Sequence, residues 1–549
     1  MKIISTGRQI GRTLKNASRL RTIVGVFAKH GFHNVAERIK LGQFILSRIN
    51  TKSDMENYTV AERVRMSFEE LGPTFIKLGQ LLATRPDLVP EDFVAEFEKF
   101  HDQVNPLPFD VIEKVLKEEF GDNLYEYFQS FDPTPVGSAS IAQVHRAVLK
   151  NGTEVVIKVQ RPGIVHTINE DLNVLYFLAG LIDTYIDEAR HFNPLGIVDE
   201  YFKTLDLETN FVVEANNIRR FSQNFASDLH IKIPQVYFEF TTERVLTMQA
   251  LTGIPVSVEG ALSQPGVTRE ELVRRGLKAY LKMVFSDGLF HGDLHAGNFF
   301  VMPNNEIGLI DFGVVGRLNQ RIQSAIANML LALSNEDYER MAYEYIDIAP
   351  FSENVNVDLF AKELRDLIAP YYGLTSKNVN LGKLLLKSSS IAARHHLQVP
   401  TELMLYFKSL VSIEGLGKKI LKDFDFLGQS MEFASELVKH QYEPEKMMFD
   451  LNQLARESKA LISSLPRQLN FLLRKVNSPN YAMKMQIPEM IELRKSVVNS
   501  SNLLFLGLII GSLLLSGSLV FPADAQHGLI FYGIASSLGV IAFFNYLKK

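Results

Sequence analysis

Two long apolar runs near the C-terminal end most constrain how this chain can fold. Residues 503–521 (LLFLGLIIGSLLLSGSLVF) contain no charged side chain, and residues 528–547 form a second such run. At about 1.5 Å of helical rise per residue, the first run is about 28 Å long, close to the thickness of a bilayer's hydrocarbon core. Residues 522–527 leave room only for a tight connection. The sequence therefore predicts a hairpin of two transmembrane helices rather than a buried hairpin of a soluble protein.

The charges that flank these runs predict their orientation. Arg494 and Lys495 precede the first run, and Lys548 and Lys549 follow the second. Because positive residues favour the cytoplasmic side, both ends of the hairpin are expected in the cytoplasm and the turn outside. The chain has no cysteine, which excludes disulfides and thiolate metal sites and fits a reducing compartment.

The rest of the chain is too long for one core and is ordinary in charge. With 549 residues we expect two or more structural units, and the net charge of -4 gives no reason to expect nucleic-acid binding. The first 36 residues are basic and contain no acid. They form either an amphipathic helix on an anionic membrane or a helix packed on the main domain; the short apolar face favours packing.

Periodicity divides the chain into five parts. Residues 1–130 are predicted to be a helical extension, and 131–250 a small β-rich lobe with a hairpin turn at Asn151-Gly152. Residues 251–470 are predicted to be a helical lobe, 471–500 a juxtamembrane segment, and 501–547 the two membrane helices. Within the β-rich lobe, one helix is expected over 195–225 and a second hairpin over 233–249.

The segment HGDLHAGN at 291–298, followed by Asp311-Phe312-Gly313, carries the most chemistry. It has the layout of the catalytic loop and metal loop of protein kinases. Asp293 is expected to orient the attacking hydroxyl or water or to accept its proton, and Asn298 and Asp311 are oxygen ligands suited to Mg²⁺. His291 and His295 lack a third ligand for zinc, so we interpret them as structural.

Upstream residues complete the nucleotide site. Lys158, in Val155-Val156-Ile157-Lys158, matches the strand lysine that contacts the α- and β-phosphates of ATP. Glu208 and Glu214 are expected on one helix, with one of them holding that lysine; Glu208 is predicted to be catalytic and Glu214 to contact the nucleotide. Met248 and Gln249, expected just after a strand, occupy the place of a kinase hinge that meets adenine.

Two features differ from an ordinary kinase. The phosphate loop lacks the usual glycines and reads Gly137-Ser138-Ala139-Ser140, which limits how closely the backbone can wrap phosphates. No long activation loop follows Gly313, because a helical pattern begins near residue 318. The usual platform for a peptide substrate is therefore absent.

The motif Lys77-Leu78-Gly79-Gln80, within PTFIKLGQLLATRPDLVP, has no counterpart in ordinary kinases. Together with HGDLHAGN and the Asp-Phe-Gly triplet, it resembles the UbiB/ADCK family of atypical, kinase-like ATPases. The resemblance implies an α+β, protein-kinase-like fold of two lobes, with a helical extension that covers the nucleotide site. It also implies ATP and Mg²⁺ as cofactors, Lys77 and Gln80 pointing into the site, and Lys77 paired with one of the two glutamates.

The leading hypothesis is an ATPase or small-molecule kinase that serves isoprenoid-quinone metabolism at the bacterial cytoplasmic membrane. Its expected partners are membrane lipid, quinone or isoprenoid precursors and other quinone-biosynthesis proteins. A true protein kinase is the first alternative, and it predicts transfer of phosphate to a protein that is lost in Asp293→Asn. A nucleotide-binding scaffold is the second, and it predicts that catalytic variants keep full cellular function.

Overall fold

The computed structural model describes residues 17–32, 57–100, 104–121, 123–185, 193–349, 355–371, 380–430 and 488–547. The chain forms two compact units, Met1–Lys446 and Met447–Lys549. The first contains all of the predicted site residues, and the second contains the apolar helices. The finer division into five parts stays a prediction.

The first unit begins with helices that pack around phenylalanine rings. They are α1 (Ala17–Lys29), α2 (Val60–Leu71), α3 (Pro73–Ala83), α4 (Glu91–Phe97), α5 (Phe109–Phe120) and the short α6 (Leu124–Tyr127). Thr59 and Glu62 form a capping box at the start of α2. Pro73 starts a new helix after Gly72, whose φ is +99°.

The N-terminal basic segment packs on the main domain over its described part. The apolar face of α1 is buried in a cluster with α2 and α3, through Leu20, Ile23 and Val24. Arg19 on the same helix is paired with Asp171. For residues 17–32 the packed helix is therefore the arrangement observed; residues 1–16 lie outside the described residues.

A four-stranded antiparallel sheet follows, in the order β1-β2-β3-β5. Its strands are β1 (Phe128–Ser138), β2 (Ala142–Leu149), β3 (Glu154–Gln160) and β5 (Val245–Gln249). The hairpin between β2 and β3 turns at Asn151-Gly152, with Gly152 at φ +83°, as predicted. Val155, Ile157 and Val159 alternate into the buried core of the sheet. Because successive strand residues face opposite sides, Lys158 points away from that core.

Three helices lie between β3 and β5, and two of them occupy the range 195–225, for which the sequence predicted one. They are α7 (Ile164–Tyr185), α8 (Pro194–Glu208) and α9 (Phe211–Asn224). The single helix expected over 195–225 is wrong because Asn210 has an extended backbone and its side chain caps the N–H of Val212. Glu208 therefore ends α8, and Glu214 lies in the first turn of α9.

The second predicted hairpin, over 233–249, is also only partly right. Residues Phe238–Phe240 form a 3₁₀ turn, and a single bridge joins Val236 to Met248. The strand β5 pairs instead with β3. Met248 and Gln249 were expected to follow this strand, but they are its last two residues.

The larger, mostly helical part of the first unit also contains short strands that position the loops. The strands are β4 (Ile231–Lys232), β6 (Ile254–Pro255), β7 (Leu289–His291), β8 (Phe299–Met302), β9 (Glu306–Leu309) and β10 (Val315–Arg317). The helices are α10 (Arg269–Leu281), α11 (Gln320–Ser334), α12 (Tyr338–Ile348), α13 (Val357–Ile368), α14 (Leu381–Arg394) and α15 (Thr401–Ile420). The predicted α+β class, with a small sheet before a helical lobe, is confirmed.

The second unit contains two consecutive helices, α16 (Pro488–Val520) and α17 (Ala525–Leu547). Within the described residues, the stretch Leu503–Val520 is the one long and apolar enough to cross a membrane. Its large side chains are exposed, with Leu508 at 73% and Leu519 at 80%. The structure thus confirms that both predicted runs are helical; that either helix crosses a membrane stays a prediction.

Gly79 of α3 gives a first testable prediction about the extension. A Cβ at this position would overlap the ring of Phe100, which stacks on Phe68 and Phe97. Gly79→Ala is expected to destabilise the extension by about 1–3 kcal/mol, the usual effect of overpacking a core. Faster amide hydrogen exchange over 73–83 would report it.

A matched control is available on α15. Gly415 is also helical, but nothing lies within 4 Å of the Cβ that an alanine would add there. Gly415→Ala is therefore expected to be neutral or stabilising through helix propensity. Equal exchange rates in the two variants would contradict the packing explanation for Gly79.

Candidate active site

The centre of the candidate site is the ammonium group of Lys158. Its Nζ lies 2.9 Å from Glu214 Oε2 and 3.3 Å from Asp311 Oδ1. These residues come from β3, from α9 and from the loop after β9, and are separated by up to 153 positions in the chain. The fold therefore brings together three of the predicted site residues around one charge.

The electrostatics of this group follow from burial and charge pairing. Burial alone would weaken the charge on Lys158, but the carboxylates of Asp311 and Glu214 outweigh it and raise the lysine pKa. Burial raises the pKa of Glu214, whereas the charge of Lys158 holds the pKa of Asp311 below its ordinary value. Lys158 and Asp311 are thus charged at neutral pH.

The loop that carries Asp311 is fixed by Phe312. The Phe312 ring is fully buried, with its centroid 4.7 Å from that of Phe221 on α9. Asn217, also on α9, donates to the Phe312 carbonyl at 3.0 Å. Asp311 itself adopts φ +60°, an uncommon conformation for a residue other than glycine. Packing of Phe312 on α9 thus keeps both Asp311 and Glu214 in contact with Lys158.

The catalytic loop is shaped by hydrogen bonds to its own backbone. His291 is fully buried; its Nε2 is 3.0 Å from the Ile310 carbonyl, and its Nδ1 accepts from the Asp293 N–H. Burial lowers the pKa of His291, which is therefore neutral at physiological pH. Asn298 donates from Nδ2 to the Asp293 carbonyl at 3.2 Å. Both flanking side chains thus fix the backbone of Asp293.

One contact of Asp293 could not be predicted from the sequence. Lys408 on α15 places its Nζ 3.3 Å from Asp293 Oδ1. Burial would raise the pKa of Asp293, but the charge of Lys408 outweighs it and holds that pKa below its ordinary value. Lys408 belongs to no motif and lies 115 positions after Asp293, so only the tertiary fold reveals the pair.

The extension reaches α8 through three polar contacts. Lys77 Nζ lies 3.4 Å from Glu208 Oε2, and Gln80 lies three residues further along α3. The Tyr201 hydroxyl donates to the Thr74 carbonyl, and Arg85 pairs with Glu200. Of the two glutamates, Glu214 thus contacts Lys158 and Glu208 contacts Lys77. The catalytic role given to Glu208 and the roles of Lys77 and Gln80 stay predictions.

The phosphate loop is tied down by Arg161. Gly137 and Ser138 end β1, and Arg161 donates to the Ala139 carbonyl and to Ser138 Oγ, both at 2.8 Å. Ser140 is buried. Arg161 also donates to the Asn105 carbonyl, which links the loop to the segment between α4 and α5. The turn is therefore held by side-chain hydrogen bonds rather than by glycine-rich backbone.

Met248 and Gln249 belong to the same sheet and lie at the end of it that is farther from the phosphate loop. They pair with Val156 and Val155 of β3, whereas Lys158 pairs with Leu246. Met248 is buried and Gln249 is exposed. The structure places both beside β3; their contact with adenine stays a prediction.

The oxygen donors expected for magnesium are present with suitable chemistry. The Asp311 carboxylate is about half exposed, at 49%. The amide nitrogen of Asn298 is used as a donor to Asp293, which leaves the amide oxygen as its possible metal ligand. Asp311 and Asn298 are thus the residues that would hold the ion. Within the described residues no group of three or more histidines and carboxylates is placed to hold a metal ion. The structural interpretation of His291 and His295 stays a prediction.

Comparisons with known proteins agree with this geometry. The family model described as ABC1 atypical kinase-like domain matches residues 99–345, and the UbiB helical domain matches residues 364–425. A protein named "Probable protein kinase UbiB" from Marinobacter nauticus is 34% identical over 394 residues, covering 71% of this chain and 72% of its own. One of the same name from Glaesserella parasuis is 31% identical over 511 residues, covering 90% and 93%.

A solved structure of a Mycobacterium tuberculosis protein in complex with erythromycin is also similar, at 23% identity and a TM-score of 0.44. The match covers 66% of this chain and 92% of that one. The superposition is too loose to support a functional comparison.

The fold and the lysine–carboxylate site together define an atypical kinase-like protein. The chain belongs to the UbiB family.

Proposed function

We propose that this protein is a Mg²⁺- and ATP-dependent phosphoryl-transfer enzyme or ATPase. The proposal is carried by one observation, the ammonium of Lys158 held between Glu214 and Asp311. Phosphoryl transfer depends mainly on positioning and on neutralising phosphate charge. Lys158 would contact the α- and β-phosphates, Glu214 would hold Lys158 in place, and Asp311 and Asn298 would bind the magnesium that neutralises the phosphates.

Asp293 is the proposed base. The attacking oxygen forms a bond to the γ-phosphorus while the bond from that phosphorus to the β-phosphate oxygen breaks. ADP leaves with the electron pair, and the proton of the attacking hydroxyl or water goes to Asp293. The low pKa of Asp293 keeps its carboxylate ionised before the step.

We further propose that the enzyme works at the bacterial cytoplasmic membrane in ubiquinone-type biosynthesis. The exposed apolar side chains of Leu503–Val520 suit a lipid environment. By the same argument α17 would be a second span, with the catalytic part facing the cytoplasm. The name UbiB, shared by the relatives, favours a quinone or isoprenoid precursor as the molecule served, with membrane lipid and quinone-biosynthesis proteins as partners.

The biochemical test uses the full chain in lipid nanodiscs. Wild-type protein is expected to release phosphate from ATP only with Mg²⁺, and Asp293→Asn to lose at least 10²-fold of that rate, the usual contribution of a positioned general base. Absence of magnesium-dependent turnover in the wild type would contradict the proposal.

The cellular test is a metabolite profile of a deletion strain. We expect a quinone precursor to accumulate, with rescue by the wild-type gene and failure of Asp293→Asn to rescue. Full rescue by Asp293→Asn would instead favour the non-catalytic scaffold.

A protein substrate is a second candidate, because the relatives are named as probable protein kinases. One observation weighs against it: six residues separate Gly313 from the start of α11, too few for a long substrate-docking loop. Incubation of nanodiscs with γ-labelled ATP and a membrane extract distinguishes the two. Label on a protein band that disappears with Asp293→Asn would favour the protein kinase.

A further inference from the structure

Helix α15 lies against the catalytic loop through one of its faces. Leu405 and Lys408 are three residues apart and therefore share that face. A Cβ on Gly292 would come within 2.9 Å of Leu405 Cδ1, so a glycine at this position permits the close approach of the helix. Lys408 Nζ then lies 3.3 Å from Asp293 Oδ1. A helix that belongs to the UbiB helical domain thus reaches the proposed base.

The catalytic segment itself has no lysine or arginine to serve this purpose. Residues 291–313 contain no lysine or arginine. His291 is neutral because it is buried, and both of its ring nitrogens contact backbone groups. His295 accepts the Gly297 N–H at its Nδ1. Among the described residues, Lys408 is the lysine or arginine whose charge contacts Asp293.

Asp293 needs such a cation during phosphoryl transfer. The negative base must approach an oxygen that is attacking a phosphoryl group with charge spread over three oxygens. The carboxylate and the phosphoryl oxygens repel each other when they are this close in the reacting complex. A fixed positive charge in a partly buried site relieves that repulsion. Lys158 is already paired with Glu214 and Asp311.

We propose that Lys408 is a positioning residue of the reaction: its ammonium holds the Asp293 carboxylate toward the attacking oxygen and offsets the repulsion between that carboxylate and the transferred phosphoryl group. This inference rests on the proposed phosphoryl-transfer function. Lys408 takes up no proton in the step and remains an ammonium throughout; the proton of the attacking oxygen goes to Asp293. The helical domain would then be part of the active site.

The alternative explanation is an ordinary surface ion pair. The Lys408 side chain is 31% exposed and that of Asp293 39%. Exposed pairs contribute little to stability, so neither explanation predicts a large loss of fold on substitution. The two differ in their effect on turnover, and kinetics can therefore separate them.

The experiment compares Lys408→Met, Lys408→Arg and the control Lys419→Ala, an exposed lysine on the same helix, in full-length protein in nanodiscs. Magnesium-dependent ATP turnover is measured at neutral pH. For Lys408→Met we expect kcat to fall 10- to 100-fold while the KM for ATP changes less than threefold. Lys408→Arg is expected to recover kcat to within fivefold of wild type, and Lys419→Ala to match wild type.

The separation of kcat from KM, together with rescue by arginine, gives a readout that loss of packing alone would not produce. A charge positioned at the reacting groups acts in the transition state and changes kcat, whereas a loosened binding site would change the KM for ATP as well.

Two outcomes would overturn the proposal, and they are distinguishable. If wild-type protein turns over ATP, Asp293→Asn does not, and Lys408→Met keeps kcat within twofold of wild type, then Lys408 is a surface ion pair and the proposed function stands. If wild-type protein shows no magnesium-dependent turnover, the proposed function falls, and the role of Lys408 falls with it.

Discussion

Asp311→Asn is expected to reduce magnesium-dependent ATP turnover by on the order of 10³-fold, a loss of several kcal/mol of charge stabilisation. The substitution removes one of the two carboxylates on Lys158 and the one charged ligand proposed for magnesium. Asparagine keeps the size of the side chain. It also tolerates the φ of +60° at this position, where most other residues would be strained.

The fold of Asp311→Asn should survive, because Glu214 remains paired with Lys158 and Phe312 remains packed on α9. Thermal unfolding without nucleotide checks this point. Asp366→Asn, at a carboxylate that is 63% exposed, is the matched control and should keep wild-type turnover. Turnover in Asp311→Asn within tenfold of wild type would show that Asp311 does not hold the catalytic ion.

Residues that lie on regular elements or in motifs were the most predictable from sequence. Alternation of apolar residues fixes which face of β3 is buried, and this already turns Lys158 away from the sheet core. The spacing between Asp293 and Asn298 is local to one loop, and their backbone hydrogen bond follows from it. Local patterns carry such information because the contacts they specify are themselves local.

The contacts that sequence missed depend on tertiary packing. The cap formed by Asn210 ends one helix and starts another within three residues, and helical periodicity continues on both sides of it. The pairing of Glu208 with Lys77 and of Glu214 with Lys158 follows from that break. The contact of Lys408 with Asp293 could not be predicted from the sequence, because it depends on where α15 packs against Gly292.

The same structure explains why the extension and the catalytic lobe act as one unit. Lys77, Thr74 and Arg85 all contact α8, which leads through Asn210 into the helix that carries Glu214. A displacement of the extension would therefore be transmitted to the glutamate that holds Lys158. This link makes the stability of the extension relevant to catalysis.

Arg19→Ala is expected to release helix α1, at a cost of about 3–5 kcal/mol in local stability. The Arg19 guanidinium contacts Asp171 Oδ1 at 2.5 Å and donates to the Leu71 carbonyl at 3.0 Å. The Asp171 side chain is only 1% exposed. Without Arg19 a buried carboxylate loses its countercharge, and the last residue of α2 loses a hydrogen-bond donor for its carbonyl.

Hydrogen exchange measures this effect where it occurs. Amides of α1 in Arg19→Ala should exchange at least 100-fold faster than in wild type. The control is Lys29→Ala on the same helix, whose ion pair with Glu70 is exposed at both ends and should contribute less than about 1 kcal/mol. Replacing both Arg19 and Asp171 with leucine should recover much of the loss, because no buried charge is then left unpaired. Equal exchange in Arg19→Ala and Lys29→Ala would contradict this explanation, since it would mean that burial adds nothing to the Arg19–Asp171 pair.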